Sequence, residues 1–453
     1  MQTVTFYPAR LRGSALVPPA KSEAHRALLL AALGHGACRL HGLLSSAAKP
    51  QAALDGLASL CDDTRAMLNG IQALGATAVP DGNALVVTPA PDAPLHADLV
   101  TCHVHACAAA LRMLIPAFLV RGQRVRFTME PALFNRPLDA LTPLLAQIGG
   151  GMVRTAATKD APASVELYGT LRAGMYAMDG SQSSQFASGL LIALAHARDA
   201  SGLPAPSTLT VTKPIVSRPY LAMTQALMER FHVPCEEREE GVFTLCPATE
   251  LSPESVAVAG DWSQAAVLLC ANAMGSGVMV GNLSNHSTQG DSRVVDVLGA
   301  MGLRMAQVGE ELYAVCPSHA GLIPAEIDCT DIPDLAPILA LTCTQAHGRS
   351  RLTGVRRLRL KECDRLAATL ELLARLGAKA EVSADDDTLT VYGPARLTGG
   401  FAADARGDHR VVMLLAIAAL LCEKPITVSG ADALNKSWPG FLATYRALGG
   451  VIA

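Results

Sequence analysis

A lysine, a glutamate, an aspartate and an arginine stand together in Lys361-Glu-Cys-Asp-Arg365. One carboxylate between two cations suits proton transfer on an anionic substrate: the cations hold charge while the carboxylate exchanges a proton. The flanking residues say how such a cluster must be held. Leu358 and Leu360 alternate with Arg359 and Lys361, which predicts a strand with one solvated face. From Arg365 onward Leu366, Leu370, Leu373 and Leu376 recur at helical spacing, and Gly377 terminates the helix. Lys361, Glu362, Asp364 and Arg365 are therefore expected at a strand-to-helix junction. A solvated charged turn is the plainer reading of the cluster taken alone, so the rest of the chain has to decide.

Other polar groups stand at the entrances to apolar segments. Lys21 and Ser22 precede the helical run 27–33, with Arg26 one turn in, where free N–H groups and the helix dipole attract anions. Ser183, Ser184 and Gln185 offer hydroxyl and amide groups to a phosphate or polyol, and equally form a serine-rich N-cap. Ser217 opens Ser217-Arg-Pro-Tyr220, and Asp334 fits either an N-cap or a base for a substrate hydroxyl. Arg410 and Lys436 lie at the edges of two further apolar segments, and with Arg365 they would make a cationic wall for a small, multiply anionic substrate. Asp62 and Asp63 read as helix caps. Cys102, His103, His105 and Cys107 are of metal-binding type, but no second ligand pair has the usual spacing. Packing and helix entry explain them better, and no metal is expected.

The bulk properties narrow the class. The chain has 453 residues, too many for one ordinary core, so two or three domains are expected. Half the residues are hydrophobic, 17% are charged and the net charge is −3, which gives no electrostatic case for nucleic acid. The longest apolar run, Val411 to Cys422, falls short of the roughly 20 residues a bilayer requires. Residues 1–8 lack the basic and apolar regions of a signal peptide. Twelve cysteines without a regular framework suggest reduced thiols and a cytoplasmic location. No phosphate-binding glycine loop or dinucleotide fingerprint stands in the right context. Residues 47–58 form an alanine-rich, insertion-like stretch.

A repeat organises the chain. Helical segments close at Leu74-Gly-Ala76, Ile148-Gly-Gly150, Met301-Gly-Leu303, Leu376-Gly-Ala378 and Leu448-Gly-Gly450, with a weaker copy at Phe231-His-Val233. Glycine after the last apolar residue permits the left-handed turn into the next strand. Six βαβ-type units, three per half, imply two similar α/β domains with a cleft between them, and the boundary is expected between Glu250 and Gly260.

Taken in order, PPAKSEAHR (18–26), DGSQSSQF (179–186), SRPY (217–220), GDWSQAA (260–266), DIPD (331–334), LRLKECDRL (358–366), GDHR (407–410) and NKSWP (435–439) resemble the enolpyruvyl transferase family. The likeness is to its shikimate-pathway branch, which serves chorismate and aromatic amino acid biosynthesis. The resemblance implies an α/β fold of two similar domains, each of three βαβαββ units in an inverse α/β barrel, with the active site in the interdomain cleft. Residues 1–20 with 256–453 would form one domain and 21–255 the other. Shikimate 3-phosphate would be held by Lys21, Ser22, Arg26, Ser183, Ser184, Gln185, Ser217, Asp334 and Lys361. Phosphoenolpyruvate would meet Lys21, Gln185, Arg365, Arg410 and Lys436. Asp334 and Glu362 would handle the hydroxyl and methylene protons, and Lys21 the phosphate side. Neither metal nor organic cofactor is implied, and a cytoplasmic monomer is expected.

Two places depart from the family pattern. Its Gly-x-x-Gly-Thr/Ser loop precedes an arginine matching Arg112, but here Ala108 replaces the second glycine and Ala109 the hydroxyl residue. Ala132 stands where the family has a donor-gripping arginine, just before Leu133-Phe-Asn-Arg-Pro137. These changes weaken the donor side and leave two alternatives: a binder of shikimate 3-phosphate without normal catalysis, or a transferase with another enol donor. The relative that uses UDP-N-acetylglucosamine fits less well, because it has Lys-Asn where this chain has Lys21-Ser22.

Overall fold

Each of the six expected helix ends closes on a left-handed residue. The φ values are 95° at Gly75, 63° at Gly149, 59° at His232, 94° at Gly302, 88° at Gly377 and 93° at Gly449. The weaker copy thus keeps the conformation with a histidine in place of glycine. The computed structural model describes residues 2–44, 56–91, 98–284, 287–309, 311–315 and 321–453. Residues 47–55 of the alanine-rich stretch lie outside them.

Six helix–strand repeats follow from these ends. In the clearest, strand Val100–His103 runs parallel to Val125–Met129, joined by helix Ala108–Val120. Helix Thr142–Gln147 then leads to Gly151–Thr155 and Ala163–Tyr168, which pair antiparallel, and the last strand closes against Val125–Met129. Five four-stranded sheets and one three-stranded sheet result among the described residues, and they remain separate.

The chain divides into two compact units, Met1–Pro18 with Ala259–Ala453, and Pro19–Val258. The strand pairing explains these boundaries. Strand Arg12–Leu16 pairs parallel with Gly277–Gly281, so its connecting helix in that repeat is Trp262–Ala273, far away in sequence. Strand Ser255–Ala257 likewise pairs parallel with Cys38–His41, the strand that follows helix Lys21–Leu33. Each crossing therefore falls between a strand and a crossover helix. The N-terminal strand Thr3–Phe6 completes the sixth repeat by pairing antiparallel with Ile426–Ser429.

Each unit packs around three helices that are mostly apolar and almost wholly buried. Lys21–Leu33, Ala108–Val120 and Ser184–Leu194 fill the core of one, and Trp262–Ala273, Ala336–Cys343 and His409–Ala419 fill the other. A helix without a polar face has to be enclosed on all sides. Gly189 permits one such contact, because a Cβ there would lie 2.7 Å from Met113 Cα. No helix of the described residues is long and apolar enough to cross a membrane.

One local expectation is corrected. The segment before Lys361 is a single 3-10 turn, Arg356–Leu360, and not a strand. The strand of that repeat, Gly348–Thr353, ends at Gly354 with φ 71°, so the alternating residues beyond it have no sheet to join. Val355 and Leu358 are buried three residues apart, the period of a 3-10 turn, while Leu360 is 63% exposed. The helix expected after it is Arg365–Arg375, with the Asp364 side chain as its N-cap accepting from Ala367 N at 2.9 Å.

Candidate functional site

The polar residues singled out in the sequence collect at the first turns of the buried helices, or in loops beside them, and they form one set in each unit.

In the unit 19–258 the set is tied together by Arg26, which is 2% exposed. Its Nε donates to Thr224 Oγ1 at 2.8 Å and its Nη1 to Ser22 O at 2.7 Å. Nη2 donates to Ser188 Oγ at 2.9 Å and to Tyr220 O at 3.1 Å. Of the five N–H groups of a guanidinium, this leaves one on Nη1 for a ligand. Arg26 thus fastens helix Lys21–Leu33 to Ser184–Leu194 and Pro219–Arg230, which brings Lys21, Ser22, Ser184 and Ser217 into one neighbourhood. Ser217 is buried with φ 54°, an uncommon conformation for a residue with a side chain.

Lys21 Nζ lies 2.8 Å from Asp63 Oδ2. The expectation that Asp62 and Asp63 cap a helix is corrected here: Cys61 is the N-cap residue, without a side-chain capping bond, and Asp63 is the partner of Lys21. His25 Nε2 is 3.0 Å from Asp63 O. Its burial, opposed by Asp63 and helped by Lys21 and Arg26, pushes its pKa down to about 4, so the imidazole is neutral. Burial also lowers Arg26, to about 10, which leaves the guanidinium charged at neutral pH.

Ser183 caps helix Ser184–Leu194 by accepting from Gln185 N at 3.3 Å. Gln185 Oε1 accepts from Arg112 Nη1 at 3.0 Å, and the Arg112 guanidinium lies 4.8 Å from the Phe186 ring centroid. The two departures from the family pattern meet nearby. Ala108 and Ala109 begin helix Ala108–Val120, Ala132 lies in the short helix Pro131–Phe134, and Glu130 N donates to His105 O at 3.0 Å. The cysteines and histidines of this loop serve different roles. Cys102 is in the core, Cys107 Sγ caps Ala110 N, and His103 Nε2 lies 3.1 Å from His105 Nδ1.

In the other unit the centre is Arg365, which is 1% exposed. Its Nε donates to Asp408 Oδ2 at 2.8 Å, Nη1 to Asp334 Oδ1 at 2.8 Å, and Nη2 to Glu362 Oε2 at 2.5 Å. Lys361 Nζ is 3.0 Å and Arg410 Nη2 3.9 Å from the Asp334 carboxylate, and Lys436 Nζ is 4.0 Å from Glu362. Four cations therefore face the three carboxylates of Asp334, Glu362 and Asp408, leaving an excess of positive charge for an anion. Burial alone would raise the pKa of Asp334, but Lys361, Arg365 and Arg410 together hold it well below the usual carboxylate range. Asp334 is thus a carboxylate fixed in its ionised form. It stands in a 3-10 turn, Pro333–Leu335, and makes no cap bond. Burial lowers Lys361, partly offset by Asp334.

Sequence reading missed Asp408, which is wholly buried and serves two purposes. It caps helix His409–Ala419 through Arg410 N at 2.9 Å and neutralises Arg365. Its signal was visible as an aspartate just before an apolar run. Asp63 was read only as a cap, because a partner 42 residues away leaves no local trace.

The family model described as EPSP synthase (3-phosphoshikimate 1-carboxyvinyltransferase) matches residues 7–445. A 3-phosphoshikimate 1-carboxyvinyltransferase of Methanocorpusculum labreanum is 33% identical over 444 residues, 97% of this chain and 97% of that protein. One from Clostridium botulinum is 29% identical over 453 residues, covering 99% and 98%. Among solved structures, an EPSP synthase of Acinetobacter baumannii shares the fold at TM-score 0.74 with 20% identity, over 100% of this chain and 99% of that one. The enolpyruvyl transferase NikO of Streptomyces tendae shares it at TM-score 0.70 with 17% identity, over 100% and 98%.

Proposed function

The chain belongs to the EPSP synthase family, and on that premise we propose that it transfers the enolpyruvyl group of phosphoenolpyruvate to the 5-hydroxyl of shikimate 3-phosphate. The products are 5-enolpyruvylshikimate 3-phosphate and phosphate, on the route to chorismate. The observation that carries the reading is Asp334, an ionised carboxylate whose neighbours are Lys361, Arg365 and Arg410.

In the first half of the reaction the hydroxyl oxygen bonds to the enol carbon, loses its proton, and the methylene carbon gains one to become methyl. In the second half a methyl proton leaves, the double bond reforms and the carbon–oxygen bond to phosphate breaks. A base is needed for the hydroxyl, which is the role we give Asp334. A group that both gives and takes a proton is needed at the methylene, the role we give Glu362. Lys21 stabilises the departing phosphate. Ser22, Arg26, Ser183, Ser184, Gln185, Ser217 and Lys361 bind the acceptor; Gln185, Arg365, Arg410 and Lys436 bind the donor. Lys21 meets both. The enzyme acts as a cytoplasmic monomer without metal or organic cofactor, a setting that suits a chain whose described cysteines are all free thiols.

Phosphate release from the protein with both substrates tests the reading, with each substrate omitted in turn as control. Release only when both are present supports it; none with both present at millimolar levels overturns it. Ala132 removes one cation from the donor side, so the Michaelis constant for phosphoenolpyruvate should be high. A charge-assisted hydrogen bond contributes about 1.5–3 kcal/mol. Ala132→Arg should therefore lower that constant by about ten- to a few-hundredfold, with little change for the acceptor.

A further inference from the structure

The turn Gln289-Gly290-Asp291 clamps the first turn of helix Trp262–Ala273. Gln289 Oε1 accepts from Trp262 N and its Nε2 donates to Gly260 O, both at 2.9 Å. Ser263 Oγ donates to Asp291 Oδ2, and Ser263 O accepts from Arg410 Nη1 at 3.1 Å. Asp291 is thus one residue removed from a proposed donor-binding cation. It is 2% exposed, and among the described residues its Oδ1 has no hydrogen-bond partner. The Arg410 Nε and the side-chain amide of Gln264 are buried without partners in the same way.

We propose that Asp291 is a positioning residue that shifts toward its protonated form, taking up a fraction of a proton, when the anionic donor binds at Arg410. The inference rests on the donor reading of Arg410. The charged groups facing Asp291 are few: Asp334 and Asp261 repel its charge, Arg410 attracts it, and Ser263 hydrogen-bonds it. Cys329 is also near, with a thiol that burial keeps protonated. Burial and Asp334 together, opposed by Arg410 and Ser263, push Asp291 up to about 7, so at neutral pH it is divided between its two forms. An anion arriving at Arg410 engages the one cation that favours the charged form and adds a further repulsive charge. The equilibrium then moves toward the acid, with a proton from buffer bonding to the free Oδ1. By linkage, the anion binds more weakly as pH rises through 7.

Phospholactate is a suitable probe, since it carries the donor's phosphate and carboxylate without the double bond. Its binding to the protein saturated with shikimate 3-phosphate would be followed at pH 7 by calorimetry in two buffers of different ionisation enthalpy. The wild type should take up a substantial fraction of a proton more than Asp291→Asn; the probe's own titration cancels in that difference. Between pH 6 and 8 the wild type should lose several-fold more affinity than the variant, a readout that a purely structural role would not move. Infrared difference spectra supply a test on the unaltered protein: a protonated carboxyl band should grow on adding phospholactate. No such band, or equal proton uptake by wild type and Asp291→Asn, overturns the proposal even where Arg410→Gln abolishes binding. If Arg410→Gln leaves phospholactate affinity intact, the donor reading of Arg410 falls and this inference with it.

Discussion

Glu362 shows what one side chain can and cannot do in this arrangement. Its Oε2 accepts from Arg365 at 2.5 Å and its Oε1 faces Lys436 at 4.0 Å, so a carboxylate there is held at both oxygens. Glutamine preserves the shape and one acceptor but exchanges no proton. Glu362→Gln should lower kcat by about two to four orders of magnitude, while shikimate 3-phosphate binding, measured by calorimetry, stays within a few-fold. Near-normal turnover would remove Glu362 from the mechanism. Sequence alone offered Lys361, Glu362 and Arg365 because they are adjacent in the chain. Asp334 was legible as a charged residue at a helix entrance, though its three cationic neighbours were not. The pairing of Asp408 with Arg365 and that of Asp291 with Ser263 stayed hidden, since the members of each pair lie dozens of residues apart. Partners so distant in sequence leave no periodicity to read.

At the level of elements, the buried helices carry a division of labour along their own length. Their bodies are mostly apolar, and most of the residues proposed for the site stand in the first turn or the loop before it, as with Lys21 and Ser22, Ser183 and Ser184, or Asp408 and Arg410. That contrast was visible in the sequence, and so were the left-handed helix ends. The 3-10 turn Arg356–Leu360 was not, because alternation over four residues fits a strand and a short turn equally well. Gly149 permits a clean test of the helix ends. Its φ is 63°, and a Cβ there would meet nothing within 4 Å. Gly149→Ala should therefore cost only the backbone penalty of a left-handed residue, about 1–2 kcal/mol, read as a shift in the denaturation midpoint. Gly149→Asn should cost less, because asparagine tolerates that conformation. Equal stability of all three proteins would show that this turn does not depend on glycine.

The whole molecule should respond to acid unequally, because each unit buries a group whose displaced pKa governs the range between pH 4 and 7, and the two displacements have opposite sign. His25, in the unit 19–258, is lowered to about 4 by burial, opposed by Asp63. Between pH 6.5 and 4 its unfolded form binds more protons than its folded form, so that unit loses stability as pH falls through this window. Asp291, in the other unit, is raised to about 7 by burial and by Asp334. Between pH 7 and its ordinary range near 4 the folded form binds more protons, so that unit gains stability over much of the same interval. From pH 7 to pH 5 each effect integrates to about 2 kcal/mol. Asp334 adds nothing in this range. Its pKa is depressed, so its contribution is present above the ordinary carboxylate range and lost only below it. Native-state hydrogen exchange, corrected for intrinsic rates, can follow both units in one sample. Protection in helix Ala108–Val120 should fall between pH 7 and pH 5 while that in helix His409–Ala419 holds or rises. His25→Asn should flatten the first response and Asp291→Asn the second, each leaving the other in place. A parallel loss of protection in both helices would mean that carboxylates outside these two sites govern the acid response.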